Sequence, residues 1–193
     1  MKYSGHESFS IRKDWLAKGI RKIEAFQNKD ELIAMDELGI GKNMVKSLRY
    51  WLKVTGITID EPKKKEFRLS SLGEIIRDND RYTEELGTLW LLHYKFATNL
   101  EYATSWYYFF NEFNIKEFTA EDFVSSLSKW DEMNNTNPAS VSSLIKDFDC
   151  LRRTYLPRLS ENDSLKPEEN GPESNMECPF TELGLIKVVD KGL

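Results

Sequence analysis

The sequence predicts a mainly α-helical protein that opens with a winged helix-turn-helix and continues as an all-helical region. Three observations carry that prediction. Apolar residues recur at helical spacing through most of the chain. Within residues 1–77 the element order is helix, helix, glycine-containing turn, helix, strand, basic loop, strand, helix, which is the order of a winged helix-turn-helix. Charge is also unevenly spread. The 193 residues carry 27 Lys plus Arg and 32 Asp plus Glu, a net charge of −5. Residues 1–77 nevertheless hold 16 basic and 11 acidic side chains, net +5, whereas residues 78–193 hold 11 and 21, net −10. A basic module therefore precedes an acidic companion, which the total conceals.

The first helix is read over Ser10 to Gln27, where Ile11, Trp15, Leu16, Ile20, Ile23 and Phe26 share a face. A second runs from Lys29 to Leu38, with Asp30 as N-cap and Gly39 as stop. Gly39 to Asn43 is a tight turn, and a third helix extends from Asn43 to Val54, ending at Gly56. Ile57-Thr58-Ile59 and Glu66 to Leu69 alternate as strands around the polar loop 60–65. A helix resumes at Ser70 or Ser71, with Glu74 three residues after Ser71 in the capping-box position.

The second half reads as helices over Thr83 to Asn99, Ala103 to Phe113, Thr119 to Trp130 and Ser140 to Tyr155. Residues 160–177 lose periodicity and carry a net charge of −5, the composition of a flexible acidic linker. From Cys178 the chain is apolar again. The expected organisation is 1–77 winged helix-turn-helix, 78–159 helical region, 160–177 acidic linker and 178–193 the start of a C-terminal segment.

Composition narrows the function. With 40% hydrophobic and 12% aromatic residues the chain can bury a core. No apolar run reaches the length of a membrane span, and the first residues lack the apolar stretch of a secretory signal, so a cytoplasmic location is expected. Two cysteines, Cys150 and Cys178, make neither a disulfide framework nor a four-ligand zinc site. Gly41-Lys42 is not a phosphate loop, because Asp36 stands where glycine is required and Asn43 where Ser or Thr is required. His93 sits in an apolar run and reads as a core or interface histidine rather than a ligand. His6 and Glu7, with Arg12, are the candidates for acid–base chemistry, although no nucleophile or metal-ligand set accompanies them. Trp106 to Phe110 has the aromatics to stack bases but the spacing of a core helix. Lys146, Arg152 and Arg153 beside Asp147 and Asp149 read as surface pairing.

The third helix carries the strongest functional signal. At 100° per residue, Lys42, Lys46, Arg49 and Lys53 lie within about 60° of one another, while Val45, Leu48 and Leu52 cluster about 110° away. One face presents cations and another can enter a core. Aligned cations neutralise phosphates and release counterions. Asn43 and Ser47 add hydrogen-bonding groups for phosphates or base edges. Lys63, Lys64 and Lys65 fall at the tip of the hairpin, where a wing would meet the neighbouring backbone or minor groove.

Two blocks resemble a prokaryotic family. The first is Tyr3-Ser4-Gly5-His6-Glu7-Ser8-Phe9 with Arg12, Trp15-Leu16 and Lys18. The second is Leu38-Gly39-Ile40-Gly41-Lys42-Asn43-Met44-Val45 with Ser47 and Arg49-Tyr50-Trp51. Leu89 to His93 and Pro179 to Leu185 also fit. Together they resemble domain-of-unknown-function family 4007 across essentially the whole chain. That resemblance implies a bacterial or archaeal protein from gene clusters of DNA phosphorothioate modification and phage defence, where a member of this kind has been linked to DNA nicking. Family members continue past the Pro179 block, so the resemblance also implies a C-terminally truncated version. It offers no settled catalytic residues.

The expected function is therefore a DNA-binding component of a DNA-modification or phage-defence system, with double-stranded DNA and proteins of the same gene cluster as partners and a homodimer as one arrangement. No cofactor is expected. Two alternatives stand beside it. One is a DNA nickase or nuclease subunit, which alone would call for Mg²⁺ or Mn²⁺. The other is a protein–protein interaction module without DNA contact.

Overall fold

A computed structural model describes residues 1–27, 31–61, 66–157 and 178–189. The expectations for the Asp30 cap, for Lys63 to Lys65 and for the linker 160–177 fall outside those residues. Among the described residues the fold is mainly helical with one small two-stranded sheet. Its elements are α1 (Trp15–Arg21), α2 (Glu31–Leu38), α3 (Lys42–Val54), β1 (Thr58–Glu61), β2 (Glu66–Leu69), α4 (Ser71–Asn79), α5 (Leu86–Ala97), α6 (Thr104–Asn111), α7 (Ala120–Asn134) and α8 (Val141–Tyr155). Single 3-10 turns occupy Ile23–Gln27 and Pro179–Leu183. Among the described residues no helix is long and apolar enough to cross a membrane.

The first predicted helix is shorter than its periodicity suggests. Phe9 is held by α3, its carbonyl accepting the Trp51 Nε1–H at 2.9 Å and the Ser47 hydroxyl at 3.4 Å, and helix begins only at Trp15. The backbone leaves helical geometry at Lys22 and tightens into the 3-10 turn. That break carries Phe26 onto Phe67 of β2, with ring centroids 5.3 Å apart. Tertiary packing outweighs a continuous helical pattern here.

The α2–α3 turn matches the sequence reading. Gly39 sits at φ +63°, a left-handed conformation open to glycine, and ends α2. Strands β1 and β2 pair antiparallel, with Thr58 opposite Leu69 and Asp60 opposite Phe67. Helix α4 is capped by Ser70, whose hydroxyl accepts the Gly73 amide at 3.0 Å. Position three after the cap is thus Gly73, and the capping box read for Glu74 does not form. A genuine box closes α7 instead, where Thr119 and Asp122 satisfy each other's backbone amides.

One hydrophobic core runs through both halves of the chain. Leu16, Leu48, Trp51 and Phe67 from the first half pack with Leu92, Phe96, Trp106, Phe123, Tyr155 and Phe180 from the second. Trp51 of α3 lies 5.7 Å from Phe96 of α5 and 5.5 Å from Trp106 of α6. The aromatics of α6 are core, with Trp106 and Tyr108 buried. Their rings bring large apolar area and preferred edge-to-face geometry.

Gly73 fixes the seating of α4, because a Cβ there would run into the carbonyl oxygen of Ile57, and backbone cannot give way as a side chain can. Gly73→Ala is expected to destabilise the fold by about 1–3 kcal/mol, lowering Tm by several degrees in thermal unfolding followed by circular dichroism.

Candidate functional site

Helix α3 splits the predicted cation stripe in two. Lys42, Asn43 and Lys46, in its first two turns, are exposed. Ser47 is fully buried with its hydroxyl on the Phe9 carbonyl, so it belongs to the core and not to a ligand-facing surface. Arg49 turns toward the protein. Its guanidinium donates to the Phe26 carbonyl and to Asp60 Oδ1, each at 3.3 Å, and stands 4.3 Å from the Phe67 ring centroid. Lys53 Nζ lies 3.6 Å from Asp60 Oδ2 and 3.8 Å from the Tyr102 ring centroid. Asp60 on β1 thereby takes both cations of the later turns and fastens the hairpin against α3.

The start of α3 has the opposite character. Its N-cap is Gly41, which brings no side-chain hydrogen bond, and the first turn holds no acidic residue. A Cβ added at Gly39 or Gly41 would meet nothing within 4 Å. The first amides of a helix have no partner within the helix and carry the positive end of its dipole. Lys42, Asn43 and Lys46 surround this end, so the surface is suited to phosphate or another anion.

His6, Glu7 and Arg12 do not assemble into an acid–base group. His6 is fully buried, Glu7 is exposed, and Arg12 packs its guanidinium 5.2 Å from the Trp15 ring centroid. His6 instead enters a polar network around Asp147, which is 1% exposed on α8. Asp147 Oδ1 accepts the Ser4 amide and His6 Nε2, both at 2.8 Å, and Oδ2 accepts the Ser105 hydroxyl at 2.5 Å. The Ser8 amide donates to His6 Nδ1 at 3.0 Å, which leaves the Nε2 proton for Asp147. Burial lowers the proton affinity of His6, whereas Cys150 and Asp147 raise it, and a second proton on the ring would have to displace the Ser8 amide from Nδ1. A second buried carboxylate, Asp131 on α7, accepts the Tyr3 hydroxyl and the Ala139 amide, each at 2.6 Å. Burial and that bond push the Tyr3 phenol well above its ordinary pKa. Ser105 donates to Asp147 rather than to His6, and Cys150, whose side chain also bonds His6, is fully buried. The network ties the N-terminal segment to α6 and α8 inside the core.

Residue type alone puts Asp147 among surface pairs, whereas the carboxylate is enclosed. The signal was available in the helical pattern: Asp147 lies three residues from both Leu144 and Cys150, on the apolar face of α8.

His93, as expected, is a core residue. Its Nδ1 is 2.9 Å from the Tyr155 hydroxyl, and Phe110, Tyr155, Trp90, Phe96 and Phe180 surround the ring. Burial lowers its pKa to about 4. Among the described residues no group of three or more His, Cys, Asp or Glu side chains is arranged to hold a metal ion.

These features define a mainly helical protein with a basic helix end on its surface and a carboxylate-tied N-terminal segment inside. The family model described as protein of unknown function (DUF4007) matches residues 3–193, and the chain belongs to that family. Two solved structures resemble it, each at 29% identity over 95% of this chain. One is described as an SspB crystal structure, with a TM-score of 0.76, and the other as a magnesium ion-bound SspB crystal structure, with a TM-score of 0.78. The chain spans 56% and 55% of those two chains, about half of their length. Comparison with curated proteins finds no match.

Asp147→Ala is expected to cost about 3 kcal/mol or more in urea unfolding, because three donors lose their acceptor, whereas Ser105→Ala should cost about 1 kcal/mol. His93 adds a pH dependence. The unfolded chain binds this proton near pH 6.5, and the folded chain only near pH 4. Its contribution to stability is therefore complete above about pH 6.5 and is lost as pH falls toward 4. Equilibrium unfolding across that window should be flatter in His93→Gln than in the parent protein.

Proposed function

We propose that this protein is a DNA-binding component of a prokaryotic DNA-modification or phage-defence system, of the phosphorothioation kind that the family resemblance implies. The observation that carries the reading is the N-terminal end of α3. It is a helix start capped by Gly41, with no side-chain cap and no acidic residue in its first turn, and Lys42, Asn43 and Lys46 are exposed around it. The arrangement of α2, α3 and the β1–β2 hairpin supports a winged helix-turn-helix, with the first half of α3 directed at duplex DNA. In this reading Asp60 holds the hairpin beside α3 through Arg49 and Lys53, so those two cations serve the shape of the interface. Lys63, Lys64 and Lys65, between the two strands in sequence, would add contacts to the backbone. The 29% identity with the SspB structures supports a related role.

A second reading is a metal-dependent DNA nickase, favoured by the magnesium ion in one of the similar structures. Supercoiled plasmid incubated with the protein and Mg²⁺ or Mn²⁺ separates the two readings, since only the second yields open circles.

Lys46→Glu is expected to weaken duplex binding by about tenfold at low salt and to reduce the slope of log affinity against log salt by about 1, with an unchanged circular dichroism spectrum. Arg49→Glu should instead lower Tm, because it sets a second carboxylate against Asp60. Duplex affinity unaltered by Lys46→Glu would remove the basis of the proposal.

A further inference from the structure

Helix α5 has two faces. Leu89, Leu92, His93 and Phe96 are buried, whereas Leu86 is 52% exposed, Trp90 44%, Leu91 42% and Tyr94 61%. Leu86, Trp90 and Tyr94 follow one another at four-residue steps, so they form a single stripe along three turns. Trp90 is anchored on its inner side by an edge-to-face contact with His93, with centroids 5.9 Å apart, and is the most exposed of the five tryptophans. Gly87 lies on the same side of the helix, and a Cβ there would meet nothing within 4 Å. No close internal contact explains glycine at that point of the helix, and its lack of a side chain leaves room for another backbone to approach.

Charge and area indicate what the stripe fits. Glu85 is exposed at the start of the helix and Glu101 just beyond its end, while Glu84, also exposed, has its Oε1 3.9 Å from Lys13 Nζ. The one cation of the helix, Lys95, runs its stem against Gly56. The four exposed side chains offer roughly 400 Å² of mostly apolar surface. A stable dimer needs about 800 Å² from each partner, so a second copy of this chain is poorly matched. A single amphipathic helix, laid along the stripe with its apolar face inward, is well matched. We infer that the outer face of α5 is a docking surface for an apolar and basic amphipathic helix of another protein.

Trp90 supplies the readout. Titrating the protein with a short amphipathic Leu/Lys peptide should move tryptophan emission to shorter wavelength and saturate, whereas a Leu/Glu peptide of the same pattern should give no shift. The double variant Leu86→Ser/Tyr94→Ser keeps the charge and should weaken binding of the Leu/Lys peptide by about tenfold or more, as should Glu85→Gln/Glu101→Gln. Circular dichroism should be unchanged in both. Equal binding of the two peptides, no shift with either, or binding indifferent to the Ser variants would overturn the inference. So would a parent protein that sediments as a dimer and becomes monomeric in Tyr94→Ser, because the occupant would then be a second copy.

Discussion

Asp147 carries a carboxylate with almost no access to water, and much of the molecule is arranged so that it can stay there. Taking such a group out of water costs several kcal/mol unless donors replace the lost hydration. Three donors do so: Ser4 and His6 from the N-terminal segment and Ser105 from α6. The N-terminal segment follows an improbable path to reach it. Ser4, Glu7 and Ser8 all have positive φ, which non-glycine residues adopt at a cost. That path is held at each end, by the Tyr3 hydroxyl on Asp131 and by Arg153 donating to the Ser8 carbonyl at 2.8 Å. Residues more than a hundred positions apart are thereby fixed to one another, and α3, α6, α7 and α8 meet around one strand of chain.

Asp60 plays a smaller but comparable part at the surface. By accepting both Arg49 and Lys53 it pairs the hairpin with the later turns of α3. The same contact leaves Lys42, Asn43 and Lys46 as the exposed polar groups of the helix's opening turns. A stripe of four cations is thus divided into two that organise the protein and two that face outward. The division has a chemical logic. The C-terminal turns of α3 lie against the sheet, where cations need a partner, and the N-terminal end lies in water, where its dipole and its lysines add to one another.

Much of the fold is legible in the sequence because it is local. Gly39 stops α2, Ser70, Thr119 and Ser140 cap their helices, and the alternation of Phe67 and Leu69 marks β2. The exposed part of the candidate site is also legible, since Lys42 and Lys46 follow from helical spacing alone. Where the structure departs from the pattern there is one cause. Residue type alone gives Ser47, Arg49 and Asp147 outward-facing roles. Their real roles depend on residues that arrive from elsewhere: Phe9 for Ser47, Asp60 for Arg49, and Ser4, His6 and Ser105 for Asp147.

The sequence by itself determined the helices, the hairpin, the uneven charge and the basic start of α3, because propensity, capping and periodicity act over a few residues. It also determined which blocks are distinctive. Only the tertiary structure decided that the opening block is a buried tie, that the central block divides its cations between Asp60 and solvent, and that α5 keeps an aromatic stripe uncovered. Those outcomes rest on burial and on partners distant in sequence. The free energy of a polar side chain is set by what surrounds it after folding, and no local pattern specifies that.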